Sequence, residues 1–309
     1  MPVFVVSEPL NESSVEFLRE QGEVIRTTPE DVLDVIDQAD ALVVRTYTQV
    51  NEELLEKAAN LKVVGRAGVA LENIDIPACR ARGVEVVHTP AANTLAVVDY
   101  TTRMIIELNR RFPTMDPPVS PEEFHRSRKF VYGRFLSGVT LGIVGAGRIG
   151  SRVGRAAVGL GMEVLYNDIL EIDLDYPAEA VGKEELYARS DIVTIHVPLT
   201  DLTEKFIDAD ALRMFKAGAQ FINCARGQCV NYKDLAEAMK DGQIAAAAID
   251  CHDPEPPPAD YPMWVVENAI LTPHIAARVP DAVQRMCDVV HDVAKVLAGQ
   301  SPDYPAPKE

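Results

Sequence analysis

The apolar run Leu141–Val144 ends directly in Gly145-Ala146-Gly147-Arg148-Ile149-Gly150, and apolar residues then recur at helical spacing: Val153, Ala156, Ala157, Leu160. That order builds a buried parallel strand, a glycine turn and a helix. Gly145 makes the tight turn, Gly147 lets the backbone approach a pyrophosphate, and Gly150 lets the helix pack closely on the strand. Arg148 and Ile149 complete the turn, and free N–H groups at the positive helix end receive the diphosphate. A second strand, Glu163–Asn167, leads into Asp168. A carboxylate about 20 residues beyond such glycines meets an adenosine ribose 2′-OH. The pattern predicts a dinucleotide site. Asp168, followed by no arginine in Ile169, Leu170 or Glu171, predicts NAD rather than NADP.

With 309 residues the chain is expected to form two domains. Upstream of the glycines, Val3–Val6, Ala41–Arg45, Leu61–Gly65 and Val84–His88 read as strands. Val15–Gln21, Asn51–Ala59 and Asp75–Arg82 read as helices between them, a βαβ rhythm that implies a parallel sheet. A long helix is expected from Asn93 to Arg111, as an interdomain connector, then a proline-broken loop over Phe112–Ser120. Six strands follow: Thr140–Val144, Glu163–Asn167, Ile192–His196, Gln220–Cys224, Ala246–Asp250 and Ala269–Thr272. A last helix, from about Pro280 to Leu297, is expected to cross back. The fold class is α/β, with two doubly wound domains. Residues 1–91 plus 279–309 form the substrate domain, and 92–278 the nucleotide domain.

The net charge of −17, from 30 basic and 47 acidic residues, argues against nucleic-acid or anionic-membrane partners. No apolar run reaches the ~18 residues of a membrane span. The start, Met1-Pro2-Val3-Phe4-Val5-Val6, reads as a strand rather than a secretion leader, so a cytoplasmic location is expected. Five cysteines occur without a C-x-x-C pair, so neither a disulfide framework nor a zinc site is indicated. No metal is expected.

In open α/β sheets, ligands sit beyond the carboxyl ends of the strands. In the second domain the polar residues expected there are Asp168, His196, Arg226, Asp250 and His274. Glu255 stands in the loop after Asp250. A guanidinium such as Arg226 binds a carboxylate through two parallel hydrogen bonds. A histidine with a neighbouring carboxylate suits acid–base work near neutral pH. Taken singly, each has a plainer reading: a surface arginine, a solvated loop acid, a structural histidine. Their convergence on one sheet edge beside a dinucleotide site favours chemistry. In the first domain Arg45 and Arg66 both follow apolar runs, which places them at a carboxyl edge facing an interdomain cleft. Backbone N–H groups at Gly68 and Val69 suit a carboxylate. The plainer reading pairs Arg45 or Arg66 with an acid such as Glu72.

The segments Val64-Gly65-Arg66-Ala67-Gly68-Val69, Gly145–Gly150, Asn223-Cys224-Ala225-Arg226-Gly227, Pro254-Glu255-Pro256-Pro257 and Pro273-His274-Ile275-Ala276-Ala277 occur in that order over nearly the whole chain. Together they resemble the D-2-hydroxyacid dehydrogenases, most closely the phosphoglycerate dehydrogenase branch. The resemblance implies a flavodoxin-like substrate domain, a Rossmann dinucleotide-binding domain, NAD as cofactor and a homodimer. It makes Arg226 the substrate clamp, His274 the acid/base and Glu255 its orienting partner. Asp250 matches the contact to the nicotinamide carboxamide. His196 and Pro198 match a stretch near the nicotinamide, and Cys224 and Ala225 belong to the cofactor-lining strand end. Arg45 and Arg66 match arginines that touch a substrate phosphate, so 3-phosphoglycerate and 3-phosphohydroxypyruvate are the expected pair. Hydroxypyruvate or glyoxylate reduction is the alternative, and an NAD-sensing corepressor a more distant one. Ala276 replaces a usual glycine, His252 a common aromatic, and Val69 a threonine of some phosphoglycerate enzymes. The C-terminal regulatory domain of long relatives is expected to be missing.

Overall fold

The computed structural model describes residues 1–111, 119–130 and 132–307. Most of the loop expected over Phe112–Ser120, with Pro113, Pro117 and Pro118, lies outside the described residues. The chain divides into two compact units, Met1–Leu95 with Ala277–Glu309, and Ala96–Ala276.

In the first unit β1 (Val3–Val6), β2 (Glu23–Arg26), β3 (Ala41–Val44), β4 (Val63–Arg66) and β5 (Glu85–His88) form a parallel sheet. Its order is β2-β1-β3-β4-β5, the flavodoxin-like arrangement. Successive residues alternate between faces. Phe4, Val6, Val43 and Val63 enter one core with Leu18 and Val293, and Val5, Leu42, Val44 and Val64 enter another with Leu54 and Ile74. Both faces are therefore covered, which explains the continuous apolar runs. Helix Val289–Leu297 packs so closely on β4 that a Cβ at Gly65 would collide with Val293. The expected helix over 280–297 is two helices, Pro280–Cys287 and Val289–Leu297. Between them stands Asp288, at φ −64° and ψ −8°, whose side chain accepts the Gln284 amide at 3.2 Å.

The second unit holds β6 (Thr140–Val144), β7 (Glu163–Asn167), β8 (Glu179–Ala180), β9 (Ile192–Ile195), β10 (Ala219–Asn223), β11 (Ile244–Ile249) and β12 (Ala269–Leu271). All run parallel in the order β12-β11-β10-β9-β6-β7-β8. The winding direction reverses between β6 and β9, the crevice where such sheets bind dinucleotides. The six expected strands are present, and β8 is a seventh. Both β8 and β2, also unexpected, are edge strands without a buried apolar run. The long helix spans Thr94–Asn109. Among the described residues no helix is long and apolar enough to cross a membrane.

Candidate active site

The glycine turn joins β6 to helix Gly150–Gly159. Gly145 has φ +91°, and a Cβ there would also press to 2.8 Å on the His196 carbonyl. At Gly150 a Cβ would collide with the Gly145 carbonyl, whereas beside Gly147 there is open space. No side chain caps the helix start. A turn with open space at its middle glycine and uncapped N–H groups fits a dinucleotide's pyrophosphate. Asp168 accepts the Ala146 N–H at 2.8 Å on one oxygen and the Leu170 N–H at 2.9 Å on the other. Each oxygen keeps acceptor capacity for a ribose hydroxyl.

Past β9, His196 bonds Thr194 Oγ1 through Nε2 at 3.1 Å, while its buried Nδ1 has no partner. Burial pushes this imidazole down to about 4, so it is neutral near pH 7. The exposed Pro198 accepts the Thr203 hydroxyl on its carbonyl at 2.7 Å. Cys224 and Ala225 are buried, and burial raises the Cys224 thiol to about 12, which keeps it protonated. All five cysteines are buried and unpaired.

Three loops at the carboxyl ends of β10, β11 and β12 are knitted together. Arg226 follows β10, and its turn is braced by Asn223. That side chain accepts the Ala225 N–H at 2.9 Å and donates to the Arg226 carbonyl at 2.9 Å. Arg226 Nη1 donates to the Ala225 carbonyl at 2.8 Å. Gly227 lets this loop lie against the next, because a Cβ there would collide with the His252 carbonyl. Asp250, fully buried, follows β11. Its carboxylate accepts the Thr272 hydroxyl at 2.6 Å and the N–H groups of Ile275 and Ala276 at 2.8 Å each. Three of its about four acceptor positions are thus filled from within the chain, in a residue with no solvent exposure.

His274 follows β12 with φ +53°, a left-handed conformation that costs a non-glycine residue about 1–3 kcal/mol. Its N–H donates to the carbonyls of Asp250 at 2.8 Å and Thr272 at 3.0 Å. Nδ1 lies 2.9 and 3.1 Å from the two oxygens of Glu255. A carboxylate only accepts, so Nδ1 carries the proton and Nε2 is left for a ligand. The side chains of His274 and Glu255 remain 44% and 41% exposed, so the pair is accessible. Among the described residues no His/Cys/Asp/Glu group could hold a metal ion.

In the first unit Arg66 ends β4 and stands in register with Val44, the last residue of β3, so Arg45 and Arg66 share one sheet edge. Arg45 Nη1 donates to the Pro9 carbonyl at 3.2 Å. The Arg66 guanidinium folds over Gly68, where a Cβ would overlap it, and Nη1 donates to the Ala67 carbonyl at 3.4 Å. The Gly68 N–H is spent on the Arg66 carbonyl at 2.8 Å, which leaves Val69 as the N–H donor of that pair. Two organising residues carry no local sequence signal. His88 Nδ1 lies 2.9 Å from the Val69 carbonyl. Glu8, 5% exposed, accepts the N–H groups of Arg45, Thr46, Tyr47 and Thr48 at 2.9–3.1 Å.

Residues 102–276 match the family described as "D-isomer specific 2-hydroxyacid dehydrogenase, NAD binding domain". A D-3-phosphoglycerate dehydrogenase of Methanocaldococcus jannaschii is 38% identical over 97% of this chain and 58% of its own length. A hydroxypyruvate reductase of Thermotoga maritima is 30% identical over 94% of this chain and 97% of its own length. A crystal structure of a Thermus thermophilus protein superposes with TM-score 0.89, at 30% identity, over 99% of this chain and 100% of that one. The chain spans about half the length of several phosphoglycerate dehydrogenases it matches. The glycine turn, the two parallel sheets and these similarities together show that the chain belongs to the D-isomer specific 2-hydroxyacid dehydrogenase family.

Proposed function

We propose that this chain is an NAD-dependent oxidoreductase that interconverts a D-2-hydroxy acid and its 2-keto acid. The observation that carries this reading is the accessible His274–Glu255 pair, at the same sheet edge as a glycine turn with room for a pyrophosphate. When bound, NADH supplies the hydride and NAD receives it. In reduction His274 gives its Nε2 proton to the keto oxygen, and in oxidation it takes that proton back. Glu255 holds Nδ1 and so fixes which nitrogen faces the substrate. Arg226 clamps the carboxylate through parallel hydrogen bonds and stabilises charge on the reacting oxygen.

For the substrate, we assign the phosphate of 3-phosphohydroxypyruvate to Arg45 and Arg66, with the Val69 N–H as a carboxylate donor. Support comes from their shared sheet edge and from the phosphoglycerate dehydrogenase relatives. In a chain of net charge −17, two arginines give a local field that draws in a dianion. Hydroxypyruvate reduction is the second reading, favoured by the nearly end-to-end match to the Thermotoga enzyme. A panel of keto acids separates the two. The phosphate reading expects kcat/KM to be highest for 3-phosphohydroxypyruvate. It also expects Arg45→Ala and Arg66→Ala to raise KM more for that substrate than for glyoxylate. Fastest turnover of hydroxypyruvate or glyoxylate would reverse the assignment.

A further inference from the structure

Thr272 connects Tyr100, which has no part in the reaction above, to Asp250. It lies between β12 and His274, and its hydroxyl donates to the Asp250 carboxylate at 2.6 Å. The same oxygen bonds the phenol of Tyr100, on helix Thr94–Asn109. Thr272 has one hydroxyl proton and commits it to Asp250, so the phenol must be the donor to Thr272. The result is a directed chain from Tyr100 O–H to Thr272 O–H to carboxylate. Burial pushes the Tyr100 phenol up to about 12, so it stays a donor through the neutral range.

Asp250 turns this chain into geometry. Its carboxylate accepts the N–H groups of Ile275 and Ala276, and its carbonyl accepts that of His274. Those three bonds bracket a residue held at φ +53°. His252 holds Thr272, two residues before it, with Nε2 2.9 Å from the Thr272 carbonyl and Nδ1 3.1 Å from the Tyr261 hydroxyl. We propose that Tyr100 is a positioning residue for His274, acting through Thr272 and Asp250. This rests on the reading of His274 as the acid–base group. Each link of such a chain polarises the next in a low-dielectric interior. Without the phenol, the Thr272 hydroxyl loses its second partner and is freer to rotate off Asp250. The loop that aims His274 then loosens.

The test compares Tyr100→Phe, Thr272→Val and the double variant, using the keto acid that wild type turns over fastest. NADH affinity is followed by fluorescence and Tm by melting. Tyr100→Phe should lower kcat about 5- to 20-fold, short of the ~100-fold that a 1 Å misplacement costs. NADH affinity should fall much less than kcat, because the glycine turn that would hold the pyrophosphate is untouched and only the Asp250 end of the cofactor site is disturbed. Thr272→Val should lower kcat at least as much, and adding Tyr100→Phe to it should cost nothing more, as for two links of one chain. Thr272→Ser, which keeps the hydroxyl, should recover most of what Thr272→Val loses. Wild-type kcat in Tyr100→Phe, effects that multiply in the double variant, or a parallel loss of NADH binding would each overturn the proposal. If wild type is active and His274→Ala is not, while Tyr100→Phe is silent, the positioning role alone falls. If His274→Ala keeps its turnover, the acid–base reading falls and this inference with it.

Discussion

Glu255 leaves His274 only Nε2 with which to meet a substrate, and that single constraint sets the chemistry available at the site. Glu255→Gln keeps an acceptor oxygen but lets the amide rotate its NH2 toward Nδ1, which admits the wrong tautomer. The variant should lose kcat on the order of 10- to 100-fold, less than the loss of the imidazole itself. Steady-state kinetics at saturating NADH checks this, and an unchanged kcat would separate the pair from the reaction. Asp168 makes a different kind of claim. Its carboxylate already ties the glycine turn to the loop after β7, so it is preorganised where a ribose would lie. Its charge opposes a 2′-phosphate. Comparing kcat/KM for NADH and NADPH should show preference for NADH, and Asp168→Ala should shrink that preference. Equal values in wild type would remove Asp168 from cofactor selection.

The loop after β3 shows how an element can be organised by one buried group. Glu8 follows β1 and gathers four successive N–H groups of residues 45–48. Burial alone would raise its pKa, but the four donors outweigh burial and hold it below the ordinary 4.5. The folded value is therefore depressed. The resulting stability is fully present above the unfolded value near 4.5 and disappears as pH falls through the lower folded value. Glu8→Gln should destabilise the protein at pH 7 by about 1–3 kcal/mol, the cost of leaving buried donors poorly matched. Denaturant melts at several pH values should show that gap closing in acid; a gap independent of pH would contradict the account. Glu8 was invisible in the sequence because its partners lie 37–40 residues away. Tyr100 and Thr272 are separated by 172 residues, with the same consequence. The strands that could be read, such as β3, β6 and β9, are buried along their length, the first residue of β6 apart. The edge strands β2 and β8 are short and contain no fully buried residue, with Val24 and Ile25 of β2 only half-buried between Glu23 and Arg26, so no long apolar run marked them.

At the scale of the molecule, two parallel sheets with different strand orders come from one repeated βαβ grammar, and the order itself is set by where each chain reversal falls. The glycine fingerprint made the second sheet legible because its residue types have no cheaper use than a tight, open turn. The pairing of His274 with Glu255 was legible only through the constellation, since neither residue stands out alone. At Gly68 and Val69 the sequence offered two N–H donors, and the fold spends that of Gly68 on the Arg66 carbonyl. The central claim is that NADH and a keto acid react at a site whose proton comes from His274. The most direct test is the rate of NADH oxidation by purified wild type and His274→Ala with 3-phosphohydroxypyruvate, hydroxypyruvate and glyoxylate, alongside each protein's NADH affinity. The account predicts turnover of at least one keto acid by wild type, and a loss of roughly 10²–10⁴-fold in the variant at unchanged NADH affinity. Near-normal turnover by His274→Ala, or NADH binding by wild type without turnover of any keto acid, would contradict it.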